Sequence, residues 1–404
     1  MSPEAGVTRP APTAAPRVPP QLLLDVSELI KHDARSGIQR VVRSVLEALA
    51  LTPPAGYSVR PVYDAGGHYA YAGAGADAPL SRDGEPIAVR PGDLFFGLDL
   101  SPDHVANNAA VLQDLRRHGV RLYFMIYDLV PVRHPELFAA GMGPWFGHWL
   151  HTVASLADGL LCISRAVADE LLDWLAANVP RRAGALAVGY CHLGADLQAS
   201  RPSHGEDAGA GAALAALAQR PTLLMVGTLE PRKMHAQALH ACDLLWQAGS
   251  AVNLVIVGKP GWNVDLLAAR LRRHPQAGQQ LFWLEQTSDD SLLQLYRGAS
   301  GLLAASLDEG FGLPLIEAAQ HGLPVIARDI PVFREVAGEH AYYFSAANGS
   351  ELAAALADWL ALHASGQAPA SAGMPRLSWA ESAGQMLDCL LGQRWYGHAS
   401  TALP

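Results

Sequence analysis

Two acidic residues, Glu309 and Glu317, bracket a run that also holds Gly310, Gly312 and Pro314, within LDEGFGLPLIEAAQHGLPVIA at 307–327. The preceding apolar run GLLAAS from Gly301 reads as a strand, so Asp308 and Glu309 fall in the loop at its carboxyl end. Pro314 suits the first turn of a helix, where its missing N–H would be unpaired anyway. The helix PLIEAAQHG stops at Gly322, a left-handed terminator, which puts Glu317 about one turn in and Glu309 just outside the start. Gly310 and Gly312 let backbone N–H groups face a ligand, and a helix N-terminus attracts anions. The loop therefore offers donors for phosphate and carboxylates for hydroxyls, a pairing that suits a nucleotide sugar. The same spacing also fits a plain strand–helix connection in which Glu317 only stabilises the dipole, or a pair of hydrolytic carboxylates.

A second stretch, VGTLEPRKMHAQAL, follows the apolar run TLLMVG, so Gly227, Arg232 and Lys233 leave the carboxyl end of a strand. Arg as a planar fork and Lys as a point charge are placed to meet a diphosphate in the same cleft. A solvated basic pair at a helix start is the bland reading, and it is weakened because cations there oppose the dipole. In VIVGKPGW, Gly258 and Lys259 sit at another strand end in the same manner. No Asp-x-Asp pair occurs in the chain, which argues against a metal held that way. His148 and His151 in GHWLH share a helix face, but no third ligand accompanies them. The apolar run around them, PELFAAGMGPWFGHWLHTV, reads as core packing, with a lipid-touching surface as the alternative.

The elements that must position these residues alternate regularly. Strand runs LLLDVS from Leu22, YSVRPVYD from Tyr57, DLFFGLD from Asp93, RLYFMIYDL from Arg121 and GLLCIS from Gly159 are interleaved with helical patterns such as IQRVVRSVLEALA and RAVADELLDWLAA. The alternation restarts at TLLMVGTL from Thr222 and continues through VNLVIVG, LFWLE, GLLAAS, PVIA and AYYF. This is the pattern of two successive doubly wound α/β domains, whose ligands sit beyond the carboxyl ends of the strands. We expect a disordered leader over 1–20, a first domain over 21–198, a linker over 199–220, a second domain over 221–375 and a closing helix within 376–404 that returns to the first domain. At 404 residues, half hydrophobic and 17% charged, the chain suits two folded domains with buried strands. A net charge of −9 argues against nucleic acid as partner. Four scattered cysteines read as buried reduced thiols of a cytoplasmic protein.

The second half resembles the donor-binding half of the family 4 retaining glycosyltransferases, which have the GT-B fold of two facing Rossmann-like domains. The match is carried by GTLEPRK, GKPGW, TSDDSLLQLYRGA, EGFGLPLIE, HGLPVIA and, near the end, LSWAESAGQML. The first half is similar through DVSELIKHDARSGIQRVV, YDLVPVRHPE, LCISRAVADEL and CHLGADL. The resemblance implies a hexosyl transfer with retention and no metal cofactor, from a nucleoside-diphosphate sugar to a glycan or lipid-linked acceptor. GDP-mannose or a related GDP-sugar is the first expectation for the donor, and peripheral contact with the inner face of a membrane is a further one. By the same resemblance, Glu317 meets the ribose hydroxyls and Glu309 the transferred sugar. Backbone N–H groups of Gly310, Phe311, Gly312 and Leu313 hold sugar and phosphate, alongside Gly227, Gly258 and Lys259. Arg232 and Lys233 neutralise the leaving diphosphate, and Thr287, Ser288 and Leu293 lie near the base. Gly37, Ile38 and Arg40 fall on the acceptor side with Tyr127, which stands before the catalytic candidate Asp128 where relatives often have His. A non-catalytic binding subunit and a sugar-nucleotide hydrolase or epimerase of the same fold are the rival readings.

Overall fold

The computed structural model describes residues 18–32, 36–73, 80–178, 182, 184–196 and 208–399. The expected leader therefore lies outside the described residues up to position 17, as does the polar stretch 197–207. Strands form where the apolar runs are nearly continuous, because both faces of a parallel sheet are covered by helices. In the first half these are β1 (Gln21–Asp25), β2 (Ser58–Asp64), β3 (Tyr69–Tyr71), β4 (Leu94–Gly97), β5 (Arg121–Ile126), β6 (Gly159–Cys162) and β7 (Leu186–Tyr190). In the second they are β8 (Thr222–Val226), β9 (Asn253–Val257), β10 (Leu281–Leu284), β11 (Gly301–Ala304), β12 (Val325–Arg328) and β13 (Tyr342–Phe344). A last short strand, β14 (Gly397–Ala399), returns to the first half.

Two sheets result, an 8-stranded one in the order β14-β7-β6-β5-β4-β1-β2-β3 and a 6-stranded one in the order β10-β9-β8-β11-β12-β13. Among the described strands only β3 and β14 pair antiparallel, each at an edge of the first sheet. In each sheet the chain reverses its winding direction beside the first strand, at β1/β4 and at β8/β11. Those are the points where α/β sheets leave a crevice for a ligand.

The connection expected over 199–220 holds a helix, Ala208–Leu217. Its sequence AGAGAALAAL has no polar face to reveal a helix, yet Ala210, Ala213 and Ala216 are buried in the same core as Leu284, Leu295 and Tyr296. The closing helix, Trp379–Leu390, starts with a reciprocal capping box between Ser378 and Glu381. It is tied to the first half by Ser382 Oγ donating to the His192 carbonyl at 2.7 Å, and just before it the Ala195 N–H donates to the Leu377 carbonyl at 2.9 Å. Trp395 then stacks on Tyr123 of β5, with ring centroids 5.6 Å apart.

At the first crevice lies a buried acidic group. Asp25, at the end of β1, accepts from the Ser27 N–H at 3.0 Å and from its hydroxyl at 2.5 Å. Asp99, just past β4, accepts from the Leu29 N–H at 2.6 Å, and Asp64 ends β2 against His104 Nδ1 at 2.7 Å. Burial, helped by Asp99, outweighs the Ser27 donors and lifts Asp25 from its ordinary 3.8 to about 7. A carboxyl raised on folding binds more protons in the native state, so its stabilising effect is present below its unfolded value and is lost as pH climbs to about 7. Chemical denaturation from pH 4 to 8 should show stability falling with pH, by up to about 1.4 kcal/mol per unit for this one group. Asp99 and Glu170, raised to about 6 and about 7, add to the fall, and His235, pushed down to about 3, opposes it below its ordinary value. Asp25→Asn should therefore remove only the share of Asp25; a variant with the wild-type slope would put that proton elsewhere.

Candidate functional site

The second crevice gathers the residues that the sequence marks. Arg232 and Lys233 form a short 3-10 turn, Pro231–Lys233, after β8, and Glu309 follows β11. Arg232 Nη1 reaches Glu309 Oε2 at 2.7 Å, its Nε lies 2.8 Å from Glu230 Oε2, and Lys233 Nζ closes on Glu309 Oε1. The Ser306 hydroxyl donates to the same Oε1 at 2.8 Å. Burial pushes Glu309 up, yet Arg232 and Lys233 outweigh it and hold the carboxyl down at about 2. Burial opposes the charge of Arg232 too, and Glu309 and Glu230 overcome it, so its pKa lies above the ordinary value. Asp128, half-buried on the facing loop after β5, is raised by burial in spite of Arg232, with Glu309 adding to the rise. Arg232, Lys233 and Glu309 thus lie together at the crevice between β8 and β11, near carboxyls at Asp128 and Glu230 that burial pushes up.

Gly310 and Gly312 have separate tasks. Gly312 caps the helix Leu313–Gln320 at φ +99°, a left-handed conformation that favours glycine. Gly310 lies close against the first half: a Cβ there would lie 1.9 Å from the Tyr127 carbonyl oxygen. The Gly310 carbonyl in turn accepts from the Ser164 hydroxyl at 2.8 Å. Phe311 is buried beside His192, at 5.6 Å between ring centroids.

More contacts cross the same seam. Glu335 of the second half accepts from the Arg165 and Ala166 N–H groups, both at 2.7 Å, at the first turn of the helix Arg165–Ala177, and from His192 Nε2 at 2.6 Å. Arg133 pairs with Asp308 at 2.6 Å as well as with Glu170. Trp262 Nε1 donates to the Leu137 carbonyl at 3.1 Å while its ring stacks on Phe138 at 5.2 Å.

Glu317 is buried on the helix Leu313–Gln320, and both its oxygens are engaged. Tyr296 Oη donates to Oε2 at 2.5 Å, and Arg40 Nη1 meets Oε1. Arg40 was expected on the acceptor side; the structure sends it across the seam from the helix Gly37–Leu51, whose start is fixed by a capping box between Ser36 and Gln39. Gly37 is exposed at the first position of that helix and Ile38 packs partly against the core. Tyr127 was placed on the acceptor side as well. Its ring is buried and its hydroxyl donates to the Leu98 carbonyl at 2.8 Å, so what it offers toward Gly310 is its backbone oxygen. Ser288 caps the helix Asp289–Gly298, Leu293 is half-buried on it, and Thr287 Oγ1 is buried with no partner among the described residues.

Gly227 and Gly258 bring the ends of β8 and β9 together: a Cβ on Gly258 would lie 2.0 Å from the Gly227 carbonyl oxygen. Lys259 is exposed, and its carbonyl accepts from the Leu229 N–H at 2.9 Å, beside the Arg232 turn. His148 and His151 are exposed on the helix Met142–Leu156, His151 edge-on to Trp174 at 4.7 Å. Sequence reasoning passed over His235, buried at the first position of the helix His235–Gln247, where burial and the neighbouring Lys233 and Arg232 push it down to about 3. It also passed over Arg133 and Glu335, and it placed Asp308 in the loop without its partner Arg133, 175 positions away.

Residues 212–373 match the family model described as Glycosyl transferases group 1. This stretch is a glycosyl transferases group 1 domain. The group 1 domain thus supplies Arg232, Lys233, Glu309 and Glu317, while Arg40 and Asp128 come from the half that precedes it. The chain is 44% identical over 376 residues to the serotype-specific mannosyltransferase WbdA of Escherichia coli, an alignment that takes in 92% of this chain and 46% of that protein. It therefore spans about half the length of that curated relative. Over 124 residues it is 34% identical to O-antigen chain mannosyltransferase B of Escherichia coli, 30% of this chain and 32% of that one. Among solved structures it is similar to sucrose-phosphate synthase from Thermosynechococcus elongatus, at 18% identity, TM-score 0.64, and 93% and 99% coverage of the two chains. Anabaena HepE in complex with UDP and glucose matches at 13% identity, TM-score 0.62, and 91% and 98% coverage. The two halves flanking the group 1 domain's crevice have the GT-B fold.

The seam at Gly310 can be probed directly. Gly310→Ala should force the loop off the Tyr127 carbonyl and cost about 1–3 kcal/mol of stability, the scale of overpacking. A thermal melt unchanged from wild type would mean that the two halves do not meet this closely in solution.

Proposed function

We propose that this chain is a retaining, metal-independent glycosyltransferase. It moves a sugar from a nucleoside-diphosphate sugar to a glycan or lipid-linked acceptor in cell-surface polysaccharide synthesis. The observation that carries this reading is the cluster of Arg232, Lys233 and Glu309 at the carboxyl ends of β8 and β11, beside the start of the helix Leu313–Gln320. The mannosyltransferases among the relatives support a sugar donor, and GDP-mannose or a related GDP-sugar is the first assignment. The reading puts the protein in the cytoplasm, with peripheral contact at the inner face of a membrane as a further part of the proposal. Among the described residues, no helix is long and apolar enough to cross a membrane.

The chemistry follows from where charge develops. Breaking the bond between the anomeric carbon and a phosphate oxygen leaves negative charge on the diphosphate, so groups aimed there lower the barrier. Arg232 and Lys233 face that charge, together with the positive end of the dipole of the helix Leu313–Gln320. In the free protein Glu309 keeps both cations in place, and it has lone pairs left for a hydroxyl of the transferred sugar. Burial pushes Asp128 and Glu230 up, against the pull of Arg232. Glu317 holds the ribose, and the segment of Thr287, Ser288 and Leu293 borders the base. Gly37 and Ile38 open the acceptor side.

The test is turnover in chelator-containing buffer with GDP-, UDP- and dTDP-sugars and oligosaccharide or lipid-linked acceptors, reading the product's anomeric configuration by NMR. One donor class should give a linkage of the donor's own configuration. Free sugar as the dominant product with acceptor present would make the chain a hydrolase, an altered donor without transfer would make it an epimerase, and binding without turnover would make it a binding subunit. Glu317→Ala should weaken nucleotide binding by about 1.5–3 kcal/mol, the scale of hydrogen bonds to a charged group. That is roughly ten- to a hundred-fold in affinity. Unchanged affinity would remove the ribose assignment.

A further inference from the structure

Glu317 is the carboxylate assigned above to the ribose, yet in the free protein no ribose can reach it. With Arg40 and Tyr296 in place, it is only 3% exposed. Tyr296 belongs to the same half as Glu317 and lies beneath it, fully buried, as a permanent partner. Arg40 comes from the other half, and its side chain keeps 27% of its surface in contact with solvent. It is therefore the lid over the carboxylate, and it is the partner that can leave. Its charge is held there by Glu317 first, with Tyr296 and Asp289 contributing.

We propose that Arg40 is a displaceable plug of the nucleotide site, competing with the ribose diol of a nucleoside diphosphate for Glu317. The inference rests on the ribose assignment of Glu317. The carboxylate loses no partner in the exchange: ribose hydroxyls donate to it as Arg40 withdraws its one donor, while Tyr296 keeps its own. The guanidinium moves into water near the incoming diphosphate, whose negative charge offsets the lost ion pair. Because Arg40 is fixed to the helix Gly37–Leu51, leaving Glu317 also releases one of the contacts that join the halves. Donor arrival is thereby coupled to a rearrangement across the seam. The reverse step has equal weight. After transfer, Arg40 returns to Glu317 and helps to expel the spent nucleotide.

This gives Arg40 an effect opposite to that of an ordinary binding arginine. Removing a phosphate- or ribose-binding group weakens nucleotide binding, whereas removing a competitor strengthens it. The experiment is calorimetric titration of GDP, UDP and dTDP into wild type, Arg40→Ala, Arg40→Gln, Glu317→Ala and the double variant Arg40→Ala/Glu317→Ala. Thermal melts establish that each is folded, and Arg40→Gln keeps most of the stem should the alanine variant unfold. The tightest nucleoside diphosphate should bind Arg40→Ala about five-fold or more tighter than wild type, the lower range of a coupling between sites. The double variant should bind like Glu317→Ala alone. In turnover, the Arg40 variants should lower KM and kcat together, with stronger inhibition by the product nucleotide, which a merely structural arginine would not do.

Equal or weaker binding by the Arg40 variants, with Glu317→Ala still impaired, would overturn the plug and leave the ribose assignment standing. Tighter binding that persists in the double variant would place the effect of Arg40 away from Glu317 and overturn it as well. If Arg40→Ala and Arg40→Ala/Glu317→Ala bind alike, so that removing Glu317 costs nothing once Arg40 is gone, the ribose assignment fails and the plug falls with it.

Discussion

Glu309 is a buried carboxylate that stays ionised because Arg232 and Lys233 occupy its two oxygens. An isolated charge at that depth would cost several kcal/mol, and removing either cation would leave part of that cost uncompensated. The surrounding structure serves this triad. β8 and β11 are neighbours in the sheet, so the two loops that carry the cations and the anion leave it side by side. Gly312 turns the chain into the helix Leu313–Gln320, whose start lies beside Glu309, and Glu317 follows one turn later. A site built in this way keeps its cations desolvated and aimed before any ligand arrives, which is what stabilising a developing diphosphate charge requires.

The first half completes the site instead of merely covering it. Its Tyr127 carbonyl meets Gly310, Ser164 holds the Gly310 carbonyl, Arg133 holds Asp308, and Arg40 holds Glu317. In return Glu335 of the second half caps the helix Arg165–Ala177 of the first. The loop 307–313 is thus bonded from both sides. These polar contacts sit beside apolar ones, with Phe311 in the same buried cluster as Tyr127 and Ile163 and Trp262 stacked on Phe138.

Much of this was readable in the sequence, for local reasons. Apolar runs bounded by glycine or proline became strands, and GFGLP followed by LIEAAQHG supplied the cap, the proline turn and the left-handed terminator that were observed. Arg232, Lys233 and Glu309 could be grouped because each follows a strand, and strand ends share one edge of a parallel sheet. What escaped was either weakly patterned or distant. The helix Ala208–Leu217 has alanine and glycine on all sides, so it shows no period. β3 and β14 are three-residue edge strands. The pairing of Arg40 with Glu317 joins positions 277 apart, and no spacing rule reaches that far. The tyrosine at 127 was visible, but its direction was not: only the packing shows that its hydroxyl faces Leu98.

The central claim is that Arg232 and Lys233 are a ready-made receptor for a diphosphate in the absence of metal. The most direct measurement is metal-free calorimetry comparing a nucleoside diphosphate with its monophosphate, beginning with GDP and GMP and repeated for the uridine and thymidine pairs. For the base the site accepts, the diphosphate should bind tighter by about 1.5–3 kcal/mol, the scale of charge-assisted hydrogen bonds, or roughly ten- to a hundred-fold. Equal affinities for the two, or a diphosphate advantage that appears only with added divalent cation, would contradict the account.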